Sequence, residues 1–180
     1  KTYDGSAIFA SSNSAVTYIV TTGVGSETLG LSGSATANSA NVQTVSSLPT
    51  AGLSLVNGTG LAGNYLLPSS TSNVTIAAKV ITASLINQTK VYDTTTSATL
   101  TAGTSSSNGS YSLSGFVAGE GAYITQTLGN YNSANVASAT TVSAVIGSSY
   151  VAKAGTTLSN YALPTTASTS SGGGTITAAP

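Results

Sequence analysis

An internal repeat is the feature that most constrains the fold of this 180-residue chain. Four landmarks occur twice in the same order: Lys-x-Tyr-Asp at 1–4 and 90–93, Asn-Ser-Ala-Asn-Val at 38–42 and 132–136, Asn-Tyr-x-Leu-Pro at 64–68 and 160–164, and Thr-Ile at 75–76 and 175–176. The offset between the copies is 89 residues at the first landmark and 100 at the last. A fixed order at a near-constant period indicates tandem repeats, so we predict two domains, residues 1–78 and 79–180.

The second copy contains an apolar segment with no counterpart in the first. Residues 80–86 read Val-Ile-Thr-Ala-Ser-Leu-Ile and precede Lys90, whereas nothing corresponding precedes Lys1. We therefore expect the first repeat to lack its first strand. One hypothesis that follows is strand exchange, in which residues 80–86 of one chain complete the first repeat of another.

Strand signals dominate the rest of the chain. Thr, Ser, Val, Gly and Asn are poor helix formers. The β-branched or aromatic runs are 15–22, 74–78, 80–86, 111–113, 123–128 and 140–146. Alternation in the last run predicts that Val142, Ala144 and Ile146 share one buried face. The fold class is therefore all-β, with six to eight short strands in each of two tandem small β-sandwich (Ig-like) domains; a β-solenoid is the alternative.

Two Asn-Gly dipeptides lie between these runs. They are Asn57-Gly58 and Asn108-Gly109. Both central residues of a type I′ turn need positive φ, which Asn and Gly adopt readily. The dipeptides therefore predict hairpin turns.

The composition removes most functional classes. Only 4% of the residues are charged, and Cys, Met, Trp and His are absent, whereas an ordinary soluble domain carries about 25% charged residues. A His base, a Cys nucleophile and a His/Cys metal site are therefore excluded. Clustered cations for nucleic acid and an uninterrupted apolar span for a membrane are also missing. We predict a non-enzymatic protein with no cofactor and no metal.

The sharpest motif is Lys-x-Tyr-Asp, which places Lys1, Tyr3 and Asp4 in the first repeat. The same motif places Lys90, Tyr92 and Asp93 in the second. Recurrence of a Lys with a carboxylate is compatible with a ligand or cross-link site. We favour an Asx-turn, in which the Asp carboxylate accepts from nearby backbone N–H groups while the Tyr covers the edge of the core.

A second recurring motif is Asn-Tyr, at Asn64-Tyr65 and at Asn160-Tyr161. Its position before an apolar residue and a Pro is typical of a tyrosine corner in a sandwich loop. There the Tyr hydroxyl bonds to backbone, so no ligand is needed to explain the motif.

An intramolecular Lys–Asn isopeptide bond is a further hypothesis for the rare charges. The available groups are the amines of Lys1, Lys79, Lys90 and Lys153 and the carboxylates of Asp4, Glu27, Asp93 and Glu120. Lys153 has no clear counterpart in the first repeat, which weakens the hypothesis.

Taken in order, these landmarks resemble the YDG repeat of bacterial haemagglutinin-like exoproteins and filamentous adhesins. The resemblance is carried by Tyr3-Asp4-Gly5, Glu27, Asn41-Val42, Asn64-Tyr65 and Thr75-Ile76, and again by Tyr92-Asp93, Glu120, Asn135-Val136, Asn160-Tyr161 and Thr175-Ile176. One departure is Thr94 in place of Gly5, which argues against a strict need for positive φ there. The resemblance implies secretion to the cell surface, a stalk or adhesive role, and no catalytic residues.

The leading functional prediction is a structural repeat that extends a secreted bacterial adhesin or filament. Its partners would then be neighbouring repeats of the same polypeptide. The alternatives are a module that binds host or matrix glycans or another polymer, and a subunit that self-associates by strand exchange. The predicted location is extracellular in each case.

Overall fold

The computed structural model describes residues 1–14, 16, 18, 20 and 24–180. The chain forms two compact units, Lys1–Ala78 and Lys79–Pro180. Two single-turn 3-10 segments, Ala62–Asn64 and Leu158–Asn160, are the helical structure of the described residues. Neither segment, nor any other helix in the described ranges, is long and apolar enough to cross a membrane.

Five strands form the described part of the first unit. They are β1 (Ile8–Ala10), β2 (Leu29–Thr36), β3 (Gln43–Pro49), β4 (Leu53–Asn57) and β5 (Ser70–Ile76). One antiparallel sheet has the order β1-β2-β4, with Leu31 opposite Leu55. The other pairs β3 with β5. Phe9, Leu48 and Ile76 are buried from the two sheets and form the centre of this unit.

Twelve short strands form the second unit. They are β6 (Lys79–Val80), β7 (Thr82–Leu85), β8 (Gln88–Val91), β9 (Ser97–Thr99), β10 (Tyr111–Ser114), β11 (Ala122–Ile124), β12 (Leu128–Tyr131), β13 (Val142–Val145), β14 (Tyr150–Ala152), β15 (Tyr161–Ala162), β16 (Thr166–Ser168) and β17 (Gly174–Thr177). A four-stranded sheet has the order β16-β13-β12-β9. The pairs β7/β10 and β11/β14 are antiparallel, and the pairs β6/β15 and β8/β17 are parallel.

The core of the second unit follows from strand periodicity. Successive side chains of a strand point to opposite faces, and the predicted burial of Val142, Ala144 and Ile146 is confirmed. Leu85 and Ile124 from other strands pack in the same apolar cluster. Removing large apolar side chains from water is the main driving force that holds such short strands together.

The all-β prediction is confirmed, and the arrangement is sandwich-like, with no closed barrel or solenoid in the described ranges. The twelve strands of the second unit exceed the six to eight expected, because loops break predicted runs such as 123–128 into separate pieces. Of the predicted strand 15–22, only residues 16, 18 and 20 are described, so most of that prediction lies outside the described residues.

The two predicted hairpins are wrong. The strand that ends at Asn57, β4, pairs with β2, and the strand that follows Gly109, β10, pairs with β7. Gly109 does adopt positive φ, and the N–H of Tyr111 donates to the carbonyl of Asn108. The dipeptide therefore makes a local turn, but the pairing of the strands is decided by distant apolar partners such as Leu85, which lies opposite Tyr111.

Candidate functional site

The first Lys-x-Tyr-Asp motif forms a closed turn around the Lys1 ammonium. Lys1 Nζ donates to Asp4 Oδ1 at 2.6 Å and to the carbonyl of Ser6 at 2.7 Å. The N–H of Ser6 donates to Asp4 Oδ1 at 3.0 Å. A carboxylate that accepts from the N–H two residues later is the geometry of an Asx-turn. The Lys1 side chain is only 1% exposed, so this charge is nearly withdrawn from water.

The second motif repeats this arrangement. Lys90 Nζ lies 2.6 Å from Asp93 Oδ1 and donates to the carbonyls of Thr95, at 2.8 Å, and Ser97, at 3.0 Å. The N–H and the hydroxyl of Thr95 both donate to Asp93 Oδ1. An ammonium has three donors, and those of Lys90 are used by the turn itself.

Local hydrogen bonds set the acidity of both aspartates. The bond from Lys90 Nζ, followed by those from Thr95, lowers the pKa of Asp93 to about 2. For Asp4, partial burial raises the pKa, but the bonds from Lys1 and Ser6 and the Lys1 charge outweigh it and hold the pKa below its ordinary value. Both carboxylates are therefore ionised at neutral pH, and neither is tuned for general acid catalysis.

An aromatic ring lies beside each lysine, but it comes from a different strand in each unit. Lys1 Nζ is 5.4 Å from the centre of the Phe9 ring, on β1. Lys90 Nζ is 5.4 Å from the centre of the Tyr131 ring, on β12. Both distances are within the range of a cation–π interaction. The environment of the ammonium is thus kept while the residue that supplies the ring has changed.

The backbone after each aspartate is left-handed. Gly5 has φ +80° and Thr94 has φ +69°. The sequence argument against a positive φ at Thr94 is therefore wrong, because the Asx-turn and the lysine bonds fix this conformation whatever residue occupies it. For a β-branched residue such a φ is a strained outlier.

The two motif tyrosines differ in burial. Tyr3 is buried, and its N–H donates to the carbonyl of Ala77 at 2.8 Å. Tyr92 makes the equivalent backbone bond to Thr177, also at 2.8 Å, but its side chain is 38% exposed. The backbone hydrogen bond of this motif is therefore common to both units. The expectation that the tyrosine covers the edge of the core holds for Tyr3 but not for the exposed Tyr92.

The tyrosine of each Asn-Tyr motif bonds to the glutamate of its own unit. The Tyr161 hydroxyl donates to Glu120 Oε2 at 2.9 Å and accepts from the N–H of Val117 at 3.2 Å. In the first unit the Tyr65 hydroxyl donates to Glu27 Oε2. The Tyr161 hydroxyl thus has a backbone partner and a carboxylate partner, but the backbone partner lies 44 positions upstream, so this is a long-range contact and not the local bond of a tyrosine corner. Partial burial, and then Glu120, raises the pKa of Tyr161.

The asparagines of this motif have unequal surroundings. Asn160 is 1% exposed, and Tyr161 beside it is buried with its ring centre 4.7 Å from that of Phe116. Asn64 is exposed and Tyr65 is half-buried. The same two residues of sequence, Asn and Tyr, are therefore enclosed in the second unit and partly open in the first.

The glutamates are the site residues that sequence reasoning did not assign to a partner. Glu27 and Glu120 recur at matching places, and the Asn-Tyr motif recurs with them. Co-recurrence of a rare carboxylate and a tyrosine is the signal that points to their hydrogen bond. For the isopeptide hypothesis, the hydrogen bonds described at Lys1 and Lys90 go to carboxylate, carbonyl and hydroxyl oxygens rather than to an Asn amide.

Comparison with known proteins identifies one family. No curated protein and no solved structure matches the chain. The family model of the YDG domain matches twice, over residues 1–73 and 77–169. These ranges include both lysine turns and both Asn-Tyr motifs described above. The chain therefore belongs to the YDG domain family.

Proposed function

We propose that this chain is a structural module of a secreted bacterial surface adhesin or filament, in which successive YDG units lengthen the protein. Each unit would contact mainly its neighbours, so that length grows with the number of copies. The module would have no catalytic activity of its own, and its location would be extracellular.

The observation that carries the proposal is that the same three charged groups, one Lys, one Asp and one Glu, make internal bonds in both units. Asp4 and Asp93 hold the lysines of their turns. Glu27 and Glu120 accept hydrogen bonds from tyrosines of the same unit. Charged groups committed to matching structural bonds in two successive units suit a repeated building block better than a reactive or ligand-binding site.

The test is the dependence of length on copy number. Polypeptides with one, two and three tandem copies of the 180-residue chain are compared by small-angle X-ray scattering and electron microscopy. We expect the maximum dimension to increase by a constant amount per copy. The matched control has a flexible Gly/Ser linker between copies, which should broaden the distribution of lengths. If the maximum dimension instead increased by less with each added copy, as it does when the copies form one compact globule, the proposal would be contradicted.

A glycan-binding role is separated by a second measurement. The same chain is applied to a glycan array. Absence of binding above background agrees with a structural role. Saturable binding to one class of glycan would instead place the adhesive function in this module.

A further inference from the structure

Each unit pairs a segment near its beginning with one near its end, and the two run in parallel. In the second unit β8 pairs with β17, with Lys90 opposite Ile176. In the first unit Thr2 forms a parallel bridge with Ala77. Among the described strands, the remaining pairs are antiparallel except β6/β15, which joins the start of the second unit to a strand near its end. Parallel pairing in the described part of the chain is therefore confined to segments near the two ends of a unit.

Backbone hydrogen bonds hold both ends of the β8/β17 ladder. At its start the N–H of Gln88 donates to the carbonyl of Gly173 at 2.8 Å. At its other end the N–H of Tyr92 donates to the carbonyl of Thr177, also at 2.8 Å, and the tyrosine of the first motif makes the equivalent bond in its own unit. The ladder is therefore complete along the whole of β8, and its last bond is common to both repeats.

Both strands of this pair are also attached to the rest of the second unit. Lys90 lies in β8, and its ammonium donates to the carbonyl of Ser97 at the start of β9. Ile176 of β17 is buried in the apolar core cluster. The N–H of Gly174, at the start of β17, donates to the carbonyl of Thr140 at 3.0 Å. A force on either strand is therefore transmitted to the core and to the four-stranded sheet that contains β9.

The relative direction of two strands decides how their ladder responds to tension. In a parallel pair, the N-terminal end of one strand and the C-terminal end of its partner lie at opposite ends of the ladder, and the hydrogen bonds are evenly spaced between them. Tension that pulls the two ends of the second unit apart acts along β8 and β17 in opposite directions, so the bonds between them are loaded together. If the same two strands were antiparallel, that tension would open the bonds one at a time from one end.

We propose that the pair β8/β17, which we name the terminal clamp, makes the second unit resist tension applied along the chain. Its hydrogen bonds break together before the core strands separate, so the clamp sets the rate of unfolding under force. The parallel pair β6/β15 has the same orientation and adds to the resistance. This role does not depend on the stalk proposal: the rate of forced unfolding and the increase of length with copy number are independent readouts, so either can fail while the other holds.

Single-molecule force spectroscopy of the full chain in two pulling directions tests the proposal. The chain has no native cysteine, so handles are attached through introduced pairs at exposed positions. Val80→Cys with Pro180→Cys pulls along the clamp. Thr96→Cys with Pro180→Cys pulls from the C-terminal ends of β8 and β17, which lie at the same end of the ladder, and therefore peels the two strands apart. At equal force we expect unfolding to be at least about fivefold slower along the clamp, the factor for one additional net hydrogen bond that breaks in the same step.

Two matched proline variants test which bonds set that rate. Gln88→Pro removes the N–H that donates to Gly173, at the first residue of a strand, where proline is tolerated. Lys153→Pro removes the N–H that donates to Gly121 at 2.9 Å, beside the antiparallel pair β11/β14. Under tension along the clamp, Gln88→Pro should accelerate unfolding about fivefold. Lys153→Pro should leave the rate unchanged, because β11/β14 stays paired while the clamp breaks.

Each measurement has an outcome that overturns the proposal. Equal unfolding rates in the two pulling directions, or faster unfolding along the clamp, would show that the parallel pair does not resist tension. Equal acceleration by the two proline variants would show that the clamp does not set the rate. Circular dichroism checks that each variant folds, and the comparison of pulling directions leaves β8 and β17 unchanged, so it decides the question even if a proline variant does not fold.

Discussion

Replacement of Thr94 by Gly is expected to stabilise the second unit. Thr94 has φ +69°, a left-handed conformation. For a residue with a Cβ this region costs about 1–2 kcal/mol. Glycine removes that cost but loses more backbone freedom on folding, which costs about 0.5–1 kcal/mol. The Thr94 side chain is exposed, so its loss leaves no cavity. The net gain is about 0.5–1 kcal/mol.

The first unit supplies the reciprocal control. Gly5 occupies the same place in the first turn, with φ +80°. Gly5→Thr should destabilise the first unit by a similar amount, about 0.5–1 kcal/mol. Each change is confined to one turn, so the other unit of the same molecule serves as an internal reference.

Native-state hydrogen exchange reads the two units separately in the full chain. The N–H of Tyr131 donates to Thr96 at 2.7 Å, and the N–H of Ala37 donates to Ala7 at 2.9 Å, so these are matched reporters. Thr94→Gly should raise protection of Tyr131 roughly two- to fivefold and leave Ala37 unchanged. Unchanged or lower protection of Tyr131 would refute the strain argument, since the left-handed turn would then carry no cost for threonine.

Three further predictions concern the tyrosines and the pH dependence of stability. Tyr161→Phe removes the hydroxyl bonded to Glu120 and should lower the free energy of unfolding in urea by about 1–2 kcal/mol, whereas Tyr123→Phe should change it little. The pKa of Asp93 is about 2 in the folded chain and near 3.9 when unfolded. Its contribution to the free energy of unfolding is therefore complete above about pH 4 and is lost as pH falls toward 2. Asp93→Asn should flatten that part of an acid titration of stability followed by circular dichroism. Burial raises the pKa of Tyr111 to about 12. In an alkaline titration followed by absorbance near 295 nm, this tyrosine should therefore ionise after the exposed ones. Ionisation together with the exposed tyrosines would contradict the burial of its ring.

The lysine turn shows how far local sequence reasoning reaches. Asp4 and Asp93 precede residues whose N–H groups lie within reach of the carboxylate, so the turn is encoded by contacts only two to seven positions apart. The opposite case is Thr94, where residue type argued against a positive φ. There the hydrogen bonds of Lys90 and Asp93 hold the backbone at positive φ, although threonine disfavours that conformation.

The tyrosine–glutamate bonds lie at the limit of what repetition reveals. Tyr161 and Glu120 are 41 positions apart, and nothing in either neighbourhood specifies the other. Only their joint recurrence in the first unit, as Tyr65 and Glu27, relates them in the sequence. A contact of this kind forms when distant strands pack, and it has no local periodicity by which it could be recognised.

By itself the sequence determined the two-fold repeat, the all-β class, the buried face of Val142, Ala144 and Ile146, and the absence of His and Cys side chains. These properties depend on composition, period and near neighbours. Tertiary structure decided which strands pair, so that β10 joins β7 rather than a hairpin partner. It also decided which aromatic ring lies beside each lysine, Phe9 beside Lys1 and Tyr131 beside Lys90. Such choices are set by apolar packing between residues far apart in the chain, which local hydrogen bonding and turn preference do not encode.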